Sequence, residues 1–429
     1  MASGRAFWVT LLLFSILLYG AQPLWNTPQR AQPVTKAPDY WPTDGWRSTS
    51  PEAQGMSSVQ LQTMEAYIRQ LSWGHLVRSV LIIRNGYIVW ETYFDPAYGQ
   101  NQKINIYSCT KSVTSSLIGM AINEGHITGV NETMVSFFPD RTIANRTSEK
   151  EAITLEHLLT MESGLAWYEW PYGPTSSYTY MINSPDWVQY TLDQPMRYAP
   201  GAVWDYNTGG SHLLSMILNR TVGNTTLAYA DSHLFSPLGI TDYTWETDPQ
   251  GVVCGGSNLH LTPRDMAKFG FLYLNNGTWA GEQLILSSWV NASIANHGTP
   301  YNDTDTIGYG YQWWLNLPLD IYLALGYNGQ QINVVPEYNL VVVFTAAYED
   351  ASFAAIIENY ILTAIEYQPP LRPPFPFTFE QIIIIGISIM GIVIAIPMCV
   401  EAFFMIRKWR RPTAAASEPE ASELEHVEE

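Results

Sequence analysis

Strand patterns lie at both ends of the body of this chain, and helical patterns fill the middle. Residues 79–94 contain two β-rich runs joined by Asn85 and Gly86, a pair that favours the type I′ turn of a β-hairpin. Strand patterns return at 309–315, 321–325, 331–335 and 340–346. This order predicts an α/β fold with one antiparallel sheet built from both chain ends and flanked by helices. A mostly helical inserted subdomain is predicted at about 112–250.

Helices should close this body at its two ends. Residues 57–72 place Leu61, Met64 and Ile68 at helical spacing, which indicates one apolar face, and residues 352–367 form the closing helix. We therefore assign residues 51–370 to one folded domain. Its functional site is expected in the cleft between the sheet and the inserted helices.

The composition is that of a folded protein whose partners are not polyanions. Hydrophobic residues make up 47% of the 429 residues, which is enough for an extended core. The formal net charge of −18 and the presence of only six lysines argue against nucleic acid, because such binding depends on Lys and Arg. The eight histidines form no H-x-x-x-H pair, and no glycine-rich phosphate motif opens a helix. We therefore expect no metal and no organic cofactor.

Two apolar segments bracket the domain and indicate a membrane protein. Residues 1–21 have the charged start and apolar stretch of an export signal, either a cleaved signal peptide or a signal anchor, and a linker follows at 22–50. After a Pro-rich linker at 371–381, the predicted transmembrane helix at 382–406 opens with a long uncharged run, and a membrane span needs about 20 such residues. The tail at 407–429 is basic and then acidic, and we expect it to be disordered.

These segments predict where the domain lies. Basic residues next to a membrane helix mark its cytoplasmic end, so the tail should be cytoplasmic and the domain extracytoplasmic. One membrane pass or two would result, depending on cleavage of the N-terminal segment. Sequons in the external part are consistent with a glycoprotein: Asn131, Asn145, Asn219, Asn224, Asn276, Asn291 and Asn302.

The strongest chemical signal is the run Ser108-Cys109-Thr110-Lys111. A serine hydroxyl is a weak nucleophile until a base takes its proton, and a lysine whose pKa is lowered by burial can act as that base. Residues three apart lie on one face of a helix, and apolar spacing from Val113 onward predicts that a helix begins here. Ser108 would then lie in the first turn, where backbone N–H groups stabilise a developing anion.

Other interpretations of this run stay open. The pattern S-x-x-K also occurs by chance, although Lys111 is the only one of the six lysines with a serine three residues before it. Cys109 could compete as the nucleophile, but no neighbouring histidine would activate its thiol, and we expect it to pack in the interior. Cys254 has no evident disulfide mate, so stability should come from packing.

With these segments in order, the chain resembles the β-lactamase-related serine hydrolases. This family includes class C β-lactamases, DD-peptidases, esterases and 6-aminohexanoate-oligomer hydrolases, and the resemblance implies a β-lactamase-like fold over residues 46–367. Besides SCTK at 108–111, the resemblance is carried by ITLEHLLTMESGL at 153–165, PGAVWDY at 200–206, LTPRDMAKFG at 261–270 and GYNGQQINVVP at 326–336.

The resemblance implies roles for residues outside the SCTK run. Tyr206 matches the tyrosine of the family's second motif, whose phenol shares proton transfer with the lysine and reaches the leaving group. Gly326 matches the glycine of the third motif at the sheet edge. The backbone N–H groups of Ser108 and Tyr327 should therefore form the oxyanion hole, in which one donor contributes about 3 kcal/mol to transition-state stability.

Departures from the family pattern favour one branch of it. The second motif is YNT at 206–208, and the third is ALG at 324–326, where β-lactamases and DD-peptidases carry KTG or HTG. The missing side chains normally hold a substrate carboxylate. The form GYNGQ at 326–330 instead resembles the oligomer-hydrolase and esterase branch, which acts on linear amides or carboxyl esters.

Further residues are predicted to bind substrate. From the second and third motifs these are Asn207, Gly326, Asn328, Gly329 and Gln330. Trp167 and Trp187, in the helical insertion beside the expected cleft, either line an apolar substrate pocket or pack the core.

The sequence therefore predicts a membrane-anchored, extracytoplasmic serine hydrolase. It should cleave an amide or carboxyl ester, in a small molecule or short oligomer, through an acyl-Ser108 intermediate, with Lys111 and Tyr206 moving the protons. Two alternatives remain: a cell-envelope D-Ala peptidase or β-lactamase, and a non-catalytic receptor on the same fold. The presence of all three residues argues against the receptor.

Overall fold

The structure of this chain is a computed structural model, and it describes residues 38–303, 305–349 and 353–365. In these ranges the strands are β1 Val77–Arg84, β2 Tyr87–Tyr93, β3 Ile104–Asn105, β4 Thr244–Trp245, β5 Leu259–Leu261, β6 Thr278–Trp279, β7 Glu282–Gln283, β8 Ile307–Tyr309, β9 Trp314–Asn316, β10 Ile321–Gly326, β11 Gln330–Val335 and β12 Leu340–Ala346. The α-helices are α1 Ser58–Gln70, α2 Cys109–Asn123, α3 Ser148–Glu151, α4 Leu155–Leu159, α5 Ser177–Asn183, α6 Trp187–Leu192, α7 Thr208–Thr221, α8 Thr226–Ala230, α9 Pro263–Leu274, α10 Ser287–Ser293 and α11 Ala354–Ile356. π-Helical turns at Asp231–Phe235 and Ile357–Leu362 continue α8 and α11.

A seven-stranded sheet forms the centre of the fold, with strand order β2-β1-β12-β11-β10-β9-β8. Every neighbouring pair in it is antiparallel. Val80 of β1 lies opposite Phe344 of β12, and Arg84 lies opposite Leu340. Strands from the two ends of the domain are therefore direct neighbours, which confirms the predicted antiparallel sheet built from both chain ends.

The β1–β2 hairpin turns where the sequence predicts. Asn85 and Gly86 both have positive φ, 52° and 85°, as a type I′ turn requires. The Asn85 N–H donates to the Asn339 carbonyl at 3.1 Å, which ties this turn to the one before β12. The turn sets the pairs Arg84–Tyr87 and Ile83–Ile88, and the register of the hairpin then shifts between Ile82 and Ile83.

On one face of the sheet, α1 and the segment 354–362 form the cover. Ser57 caps α1, because its side chain accepts a hydrogen bond from the Gln60 N–H. The apolar stripe of α1, with Leu61 and Met64, is fully buried against the sheet. This burial follows the helical spacing in the sequence.

On the other face, α9 packs against β11 and β12 at unusually close range. Thr262 caps this helix and Pro263 occupies its first position, both favourable helix-start residues. A Cβ at Gly270 would lie 2.7 Å from the Ile332 side chain and 2.8 Å from that of Val341. Only glycine permits this approach of helix and sheet.

Between β3 and β5 the regular secondary structure of the described chain is helical except for β4, although loops make up more than half of the residues, and α2 is the central helix. Residues 109–121 are all buried. Four of the five hydroxyl groups on α2 have hydrogen-bond partners, and the buried Ser115 Oγ has none. Ser112 donates to the Gln312 carbonyl and Thr114 to the Gly255 carbonyl, both at 2.7 Å. These bonds fix the rotation of α2 and so the direction in which its first turn points.

One predicted strand is divided in the structure. Residues 309–315 form the end of β8 and the start of β9, with a turn at Gln312, whose φ is 63°. Gln312 Oε1 accepts from Ser211 Oγ at 2.7 Å, and its Nε2 donates to the Leu159 carbonyl at 2.9 Å. These contacts draw residue 312 out of the strand path, so the prediction of a single strand is wrong.

Residues 38–50, the end of the predicted linker, pack on the domain. Trp46 Nε1 donates to the Arg264 carbonyl at 3.0 Å, and its ring meets Phe271 edge-on with centroids 5.6 Å apart. Trp41 contacts the same Phe271 ring at 5.8 Å. Aromatic residues of this segment thus cover α9. The rest of the linker and the N-terminal segment 1–21 lie outside the described residues.

The predicted transmembrane helix, and the membrane location derived from it, require correction. Among residues 38–303, 305–349 and 353–365, no helix is long and apolar enough to cross a membrane. The longest of them, α2, has 15 residues, whereas a span needs about 20. Residues 371–381, 382–406 and 407–429 lie outside the described part of the chain. The described residues thus have an α/β fold, and among them nothing supports the predicted membrane helix or the single-pass or two-pass location drawn from it.

Replacing Gly270 by alanine should destabilise the domain by about 1–3 kcal/mol, because the added methyl group would overlap side chains in a packed interior. Thermal unfolding measures the loss as a lower Tm. Gly210→Ala is the matched control and should not lower Tm, since a Cβ there meets Leu158 at an ordinary 3.5 Å. An unchanged Tm for Gly270→Ala would contradict the close approach of α9 to the sheet.

Candidate active site

Ser108 lies at the amino end of α2, where the chain changes from strand to helix. Tyr107 before it has a φ of 48°, in the left-handed region that is unfavourable for residues other than glycine. Asn105 holds this turn, because its Oδ1 accepts a hydrogen bond from the Tyr107 N–H at 2.7 Å. The sharp turn leaves Ser108 partly exposed although the helix after it is buried.

Lys111 lies one helical turn after Ser108 and is only 1% exposed. Its Nζ lies 3.1 Å from Ser108 Oγ, and it donates to Thr208 Oγ1 at 3.0 Å and to the Gly256 carbonyl at 2.8 Å. Burial lowers the pKa of Lys111 to about 8, although the negative charge of Glu169 acts in the opposite direction. Near that pH much of the amine is neutral, and a neutral amine can accept the Ser108 proton.

Tyr206 joins this pair from the helical insertion, two residues before α7. Lys111 Nζ lies 4.8 Å from the centre of the Tyr206 ring. Burial and the charge of Glu169 raise the pKa of the Tyr206 phenol, while a hydrogen bond with Ser108 lowers it. Because the net change is upward, the phenol keeps its proton and can donate it. Ser108, Lys111 and Tyr206 thus lie together although they are far apart in the sequence.

The end of β10 passes directly beside the start of α2. A Cβ at Gly326 would lie 2.3 Å from the Ile106 carbonyl oxygen and 3.3 Å from Cys109 Sγ. A larger residue at 326 would push the strand away from the helix. The glycine therefore brings the backbone of Tyr327 next to Ser108, as an oxyanion hole between these two residues would need.

Three predicted substrate-binding residues use their side chains for the fold. Asn207 is buried and caps α7, with its Oδ1 accepting from a backbone N–H of the first turn at 2.8 Å. Gln330 is fully buried, and its Nε2 donates to a β12 carbonyl at 2.8 Å. Trp187 packs on His212, with ring centroids 5.4 Å apart. None of the three lines a cavity beside Ser108.

The other predicted residues are closer to the serine. Trp167, Gly326 and Gly329 line the cavity into which Ser108 opens. Asn328 is the turn residue between β10 and β11, with a φ of 60°. Its conformation lets the strand end at Gly326 and return as β11.

The cavity at Ser108 has a volume of about 550 Å³ and an aromatic, acidic wall. This volume is in the range of small-molecule sites. Glu169, Asp205 and Glu349 contribute carboxyl groups to the wall, and Arg197 contributes a cation. The aromatic side chains lining it are Trp167, Tyr168, Trp170, Tyr172, Trp204, Tyr206, Tyr301, Trp314 and Tyr327. Such a wall favours a neutral or cationic ligand over an anionic one.

Glu169 is a site residue that no sequence pattern indicates. Its Oε1 accepts from Thr208 Oγ1 at 2.6 Å, and its Oε2 accepts from the Thr208 N–H at 3.1 Å. Trp167 Nε1 donates to Oε2 at 2.5 Å. Thr208 therefore bridges the Glu169 carboxylate and the Lys111 amine through one hydroxyl group. The only feature of the sequence that marks Glu169 is that it is an acidic residue inside the aromatic run WYEW at 167–170.

Cys109 is unsuited to act as a nucleophile. It is fully buried, and burial raises the pKa of its thiol far above neutrality. Its Sγ contacts the carbonyl oxygens of Ala324 and Gln330, both at 3.4 Å. A buried protonated thiol neither reaches a substrate nor attacks one, and the residue packs between α2 and the sheet.

The chain is similar to known proteins in sequence and in fold. The sequence model of the Beta-lactamase family matches residues 62–364. An uncharacterised protein of Alkalihalophilus pseudofirmus is 25% identical over 302 residues, which cover 62% of this chain and 82% of that protein. The 6-aminohexanoate-dimer hydrolase of Paenarthrobacter ureafaciens is 20% identical over 289 residues, covering 63% of this chain and 72% of that protein. A solved family VIII carboxylesterase has a TM-score of 0.58 at 15% identity, over 72% of this chain and 99% of that one.

At such low identity the solved structure shows a shared fold and nothing finer. The family match extends further, because residues 62–364 contain the SCTK run and the second and third motifs. It confirms the resemblance drawn from those motifs. Since the match covers well over half of the sequence, the chain belongs to the Beta-lactamase family and has the fold of its serine hydrolases.

Proposed function

We propose that this chain is a serine hydrolase that cleaves a carboxyl ester or an amide through an acyl-Ser108 intermediate. One observation carries the proposal: Lys111 Nζ lies 3.1 Å from Ser108 Oγ at a buried position that lowers its pKa to about 8. A partly neutral amine beside a serine hydroxyl is what an activated serine nucleophile requires. Membership of the Beta-lactamase family supports the same reaction class.

In the acylation step, Ser108 Oγ attacks the carbonyl carbon while its proton moves to the neutral Lys111 amine. The former carbonyl oxygen becomes negatively charged. The backbone N–H groups of Ser108 and Tyr327 would stabilise that charge, each by about 3 kcal/mol. Tyr206 then gives its phenolic proton to the leaving oxygen or nitrogen, the bond from that atom to carbon breaks, and Lys111 returns a proton to the tyrosinate.

In the deacylation step, a water molecule attacks the carbonyl carbon of acyl-Ser108. The water proton passes to the Lys111–Tyr206 pair, which then returns a proton to Ser108 Oγ as the ester bond breaks. The carboxylic acid product departs, and the three side chains are back in their starting protonation states. Neither step needs a metal or an organic cofactor.

Glu169 and Thr208 act in this scheme as positioning residues for the lysine. Lys111 becomes an ammonium during the attack, and the Glu169 carboxylate stabilises that charge across the Thr208 hydroxyl. The bonds to Thr208 and to the Gly256 carbonyl also hold Nζ at its place beside the serine. The carboxylate touches neither the nucleophile nor the substrate carbonyl in this scheme.

The substrate class follows from the charge of the cavity wall. The cavity is lined by three carboxyl groups, those of Glu169, Asp205 and Glu349, and by one cationic side chain, Arg197, so a substrate carboxylate would meet net repulsion. The third motif also lacks the KTG or HTG side chains that hold such a carboxylate in β-lactamases. Neutral or cationic esters and amides are therefore favoured over β-lactams and D-Ala peptides. The similar proteins include one named as a 6-aminohexanoate-dimer hydrolase and one named as a carboxylesterase, which supports amides and esters as the two candidate substrate classes.

Ser108→Ala should lower kcat/KM for p-nitrophenyl butyrate by at least about a thousandfold, because no other group supplies the nucleophile. A fluorophosphonate probe should label the parent protein and fail to label this variant. Cys109→Ala is the matched control in the same motif, and it should be labelled and retain turnover. Labelling that survives Ser108→Ala would contradict the assignment of the nucleophile.

The rate should depend on pH through Lys111. The amine must be neutral to act as base, and it becomes so above its pKa of about 8, so kcat/KM should rise with pH with a midpoint near 8. In Glu169→Gln the midpoint should move to lower pH, because the charge that raises the Lys111 pKa is gone. The rate observed with the Ser108→Ala variant at each pH gives the spontaneous hydrolysis of the substrate, which is subtracted from the rate of the parent protein.

Glutamine at 169 can still accept from Trp167 and from the Thr208 N–H, so the variant changes charge more than shape. A midpoint that stays in place in Glu169→Gln would contradict its electrostatic role. A rate that does not change across the expected midpoint would contradict Lys111 as the base.

Nitrocefin, an anionic β-lactam, should be hydrolysed with a kcat/KM at least about a hundredfold below that of a neutral ester, since unfavourable like-charge contacts cost several kcal/mol. Glu349→Gln should reduce this difference in kcat/KM between nitrocefin and the ester, because it removes one carboxylate from the cavity wall. Glu282→Gln, a substitution at an exposed position in β7, is the control and should leave the difference unchanged. Rapid nitrocefin turnover by the parent protein would favour the β-lactamase alternative.

A further inference from the structure

Ser108 lies between two cavities. The larger is the aromatic, acidic cavity of about 550 Å³. The smaller has a volume of about 200 Å³ and is lined by Tyr107, Ser108, Tyr172, Tyr178, Thr208, Gly256, Ser257 and Tyr327. Both cavities share Ser108, Tyr172 and Tyr327. A substrate whose carbonyl group lies at Ser108 can therefore extend in two directions.

Tyr172 and Tyr327 form the wall between the two cavities. Their rings meet edge to face, with centroids 5.4 Å apart and planes at 88°. Each phenol has a carboxylate partner: Tyr172 donates to Glu169 at 3.3 Å, and Tyr327 donates to Glu349 at 2.8 Å. Because both rings are held in place, the two sides of the scissile bond should occupy separate compartments.

The position of the proton donor decides which half of the substrate enters which cavity. Tyr206 lines the larger cavity and not the smaller one. A leaving atom has to come within about 2.6–3.2 Å of the group that protonates it. The leaving group therefore extends into the larger cavity. The acyl chain, on the other side of the carbonyl carbon, then extends into the smaller one.

We propose that the smaller cavity is the acyl pocket, and that the preferred substrates join a short, uncharged acyl group to a bulky, neutral or cationic alcohol or amine. This inference rests on the proposed hydrolase function. At about 30 Å³ for each water-sized group, a cavity of 200 Å³ holds roughly seven heavy atoms. Its lining contains tyrosine rings, a glycine and small hydroxyl residues but no charged side chain, so it suits an uncharged chain.

Two substrate series distinguish the cavities. The first keeps p-nitrophenol as the leaving group and lengthens the acyl chain from acetyl to dodecanoyl. The second keeps the butyryl group and enlarges the alcohol from methyl to naphthylmethyl. For the parent protein, kcat/KM should fall about tenfold or more once the acyl chain exceeds roughly seven heavy atoms. It should not fall as the alcohol grows.

Substitutions in the lining of each cavity test which cavity limits the acyl chain and which accommodates the alcohol. Tyr178→Ala enlarges only the smaller cavity and should move the acyl-length limit to longer chains without reordering the alcohols. Ser257→Val narrows the same cavity and should move the limit to shorter chains. Tyr301→Ala is the matched control, because Tyr301 is 74% exposed and lines only the larger of the two cavities. This substitution should change the order of kcat/KM among the alcohols and leave the acyl-length limit in place.

The two changes in the smaller cavity act in opposite directions, so loss of folding in one leaves the test intact. The inference is overturned if Tyr301→Ala shifts the acyl-length limit, or if the folded variants of Tyr178 and Ser257 leave that limit in place. Failure of the proposed function has a different signature. The parent protein would then turn over no ester in either series, and a fluorophosphonate probe would leave Ser108 unlabelled.

Discussion

The burial of a single amine is the constraint on which this site depends. A buried ammonium is costly, so the interior shifts Lys111 toward its neutral form and must still provide partners for its protons. Those partners, Thr208 and the Gly256 carbonyl, come from separate segments of the chain. The three-residue spacing of the SCTK run places the amine on the same helix face as Ser108, and the packing around α2 buries it and holds it there.

The architecture of the sheet explains why the site is where it is. Because β1 pairs with β12, the two ends of the domain form one sheet, and β10 comes to lie against the start of α2. Gly326 permits that contact, and the rotation of α2 is fixed by hydrogen bonds from Ser112 and Thr114. A helix N-terminus and the end of strand β10 can thus direct backbone N–H groups toward the same substrate oxygen, which is the arrangement that stabilises an oxyanion.

Family membership leaves the substrate open, and the cavity walls narrow it. The proposed base and nucleophile would suit a β-lactam, a peptide, an ester or an amide, since these differ in the groups attached to the carbonyl carbon. Here those groups meet many aromatic rings, three carboxyl groups and one cation in the larger cavity, and uncharged residues in the smaller. In the proposed hydrolase, charge and volume therefore restrict the substrate more than the chemistry of acylation does.

The sequence by itself determined the features that depend on neighbouring residues. The Asn85-Gly86 turn, the apolar stripe of α1, the strands from both ends and the SCTK run all follow from local conformational preference or short spacing. Only the tertiary structure decided the break at Gln312, the Glu169 carboxylate behind Thr208, and the division of the space at Ser108 into two cavities. Each of these arises where segments distant in the chain meet, and the free energy of such contacts is not encoded in any short pattern.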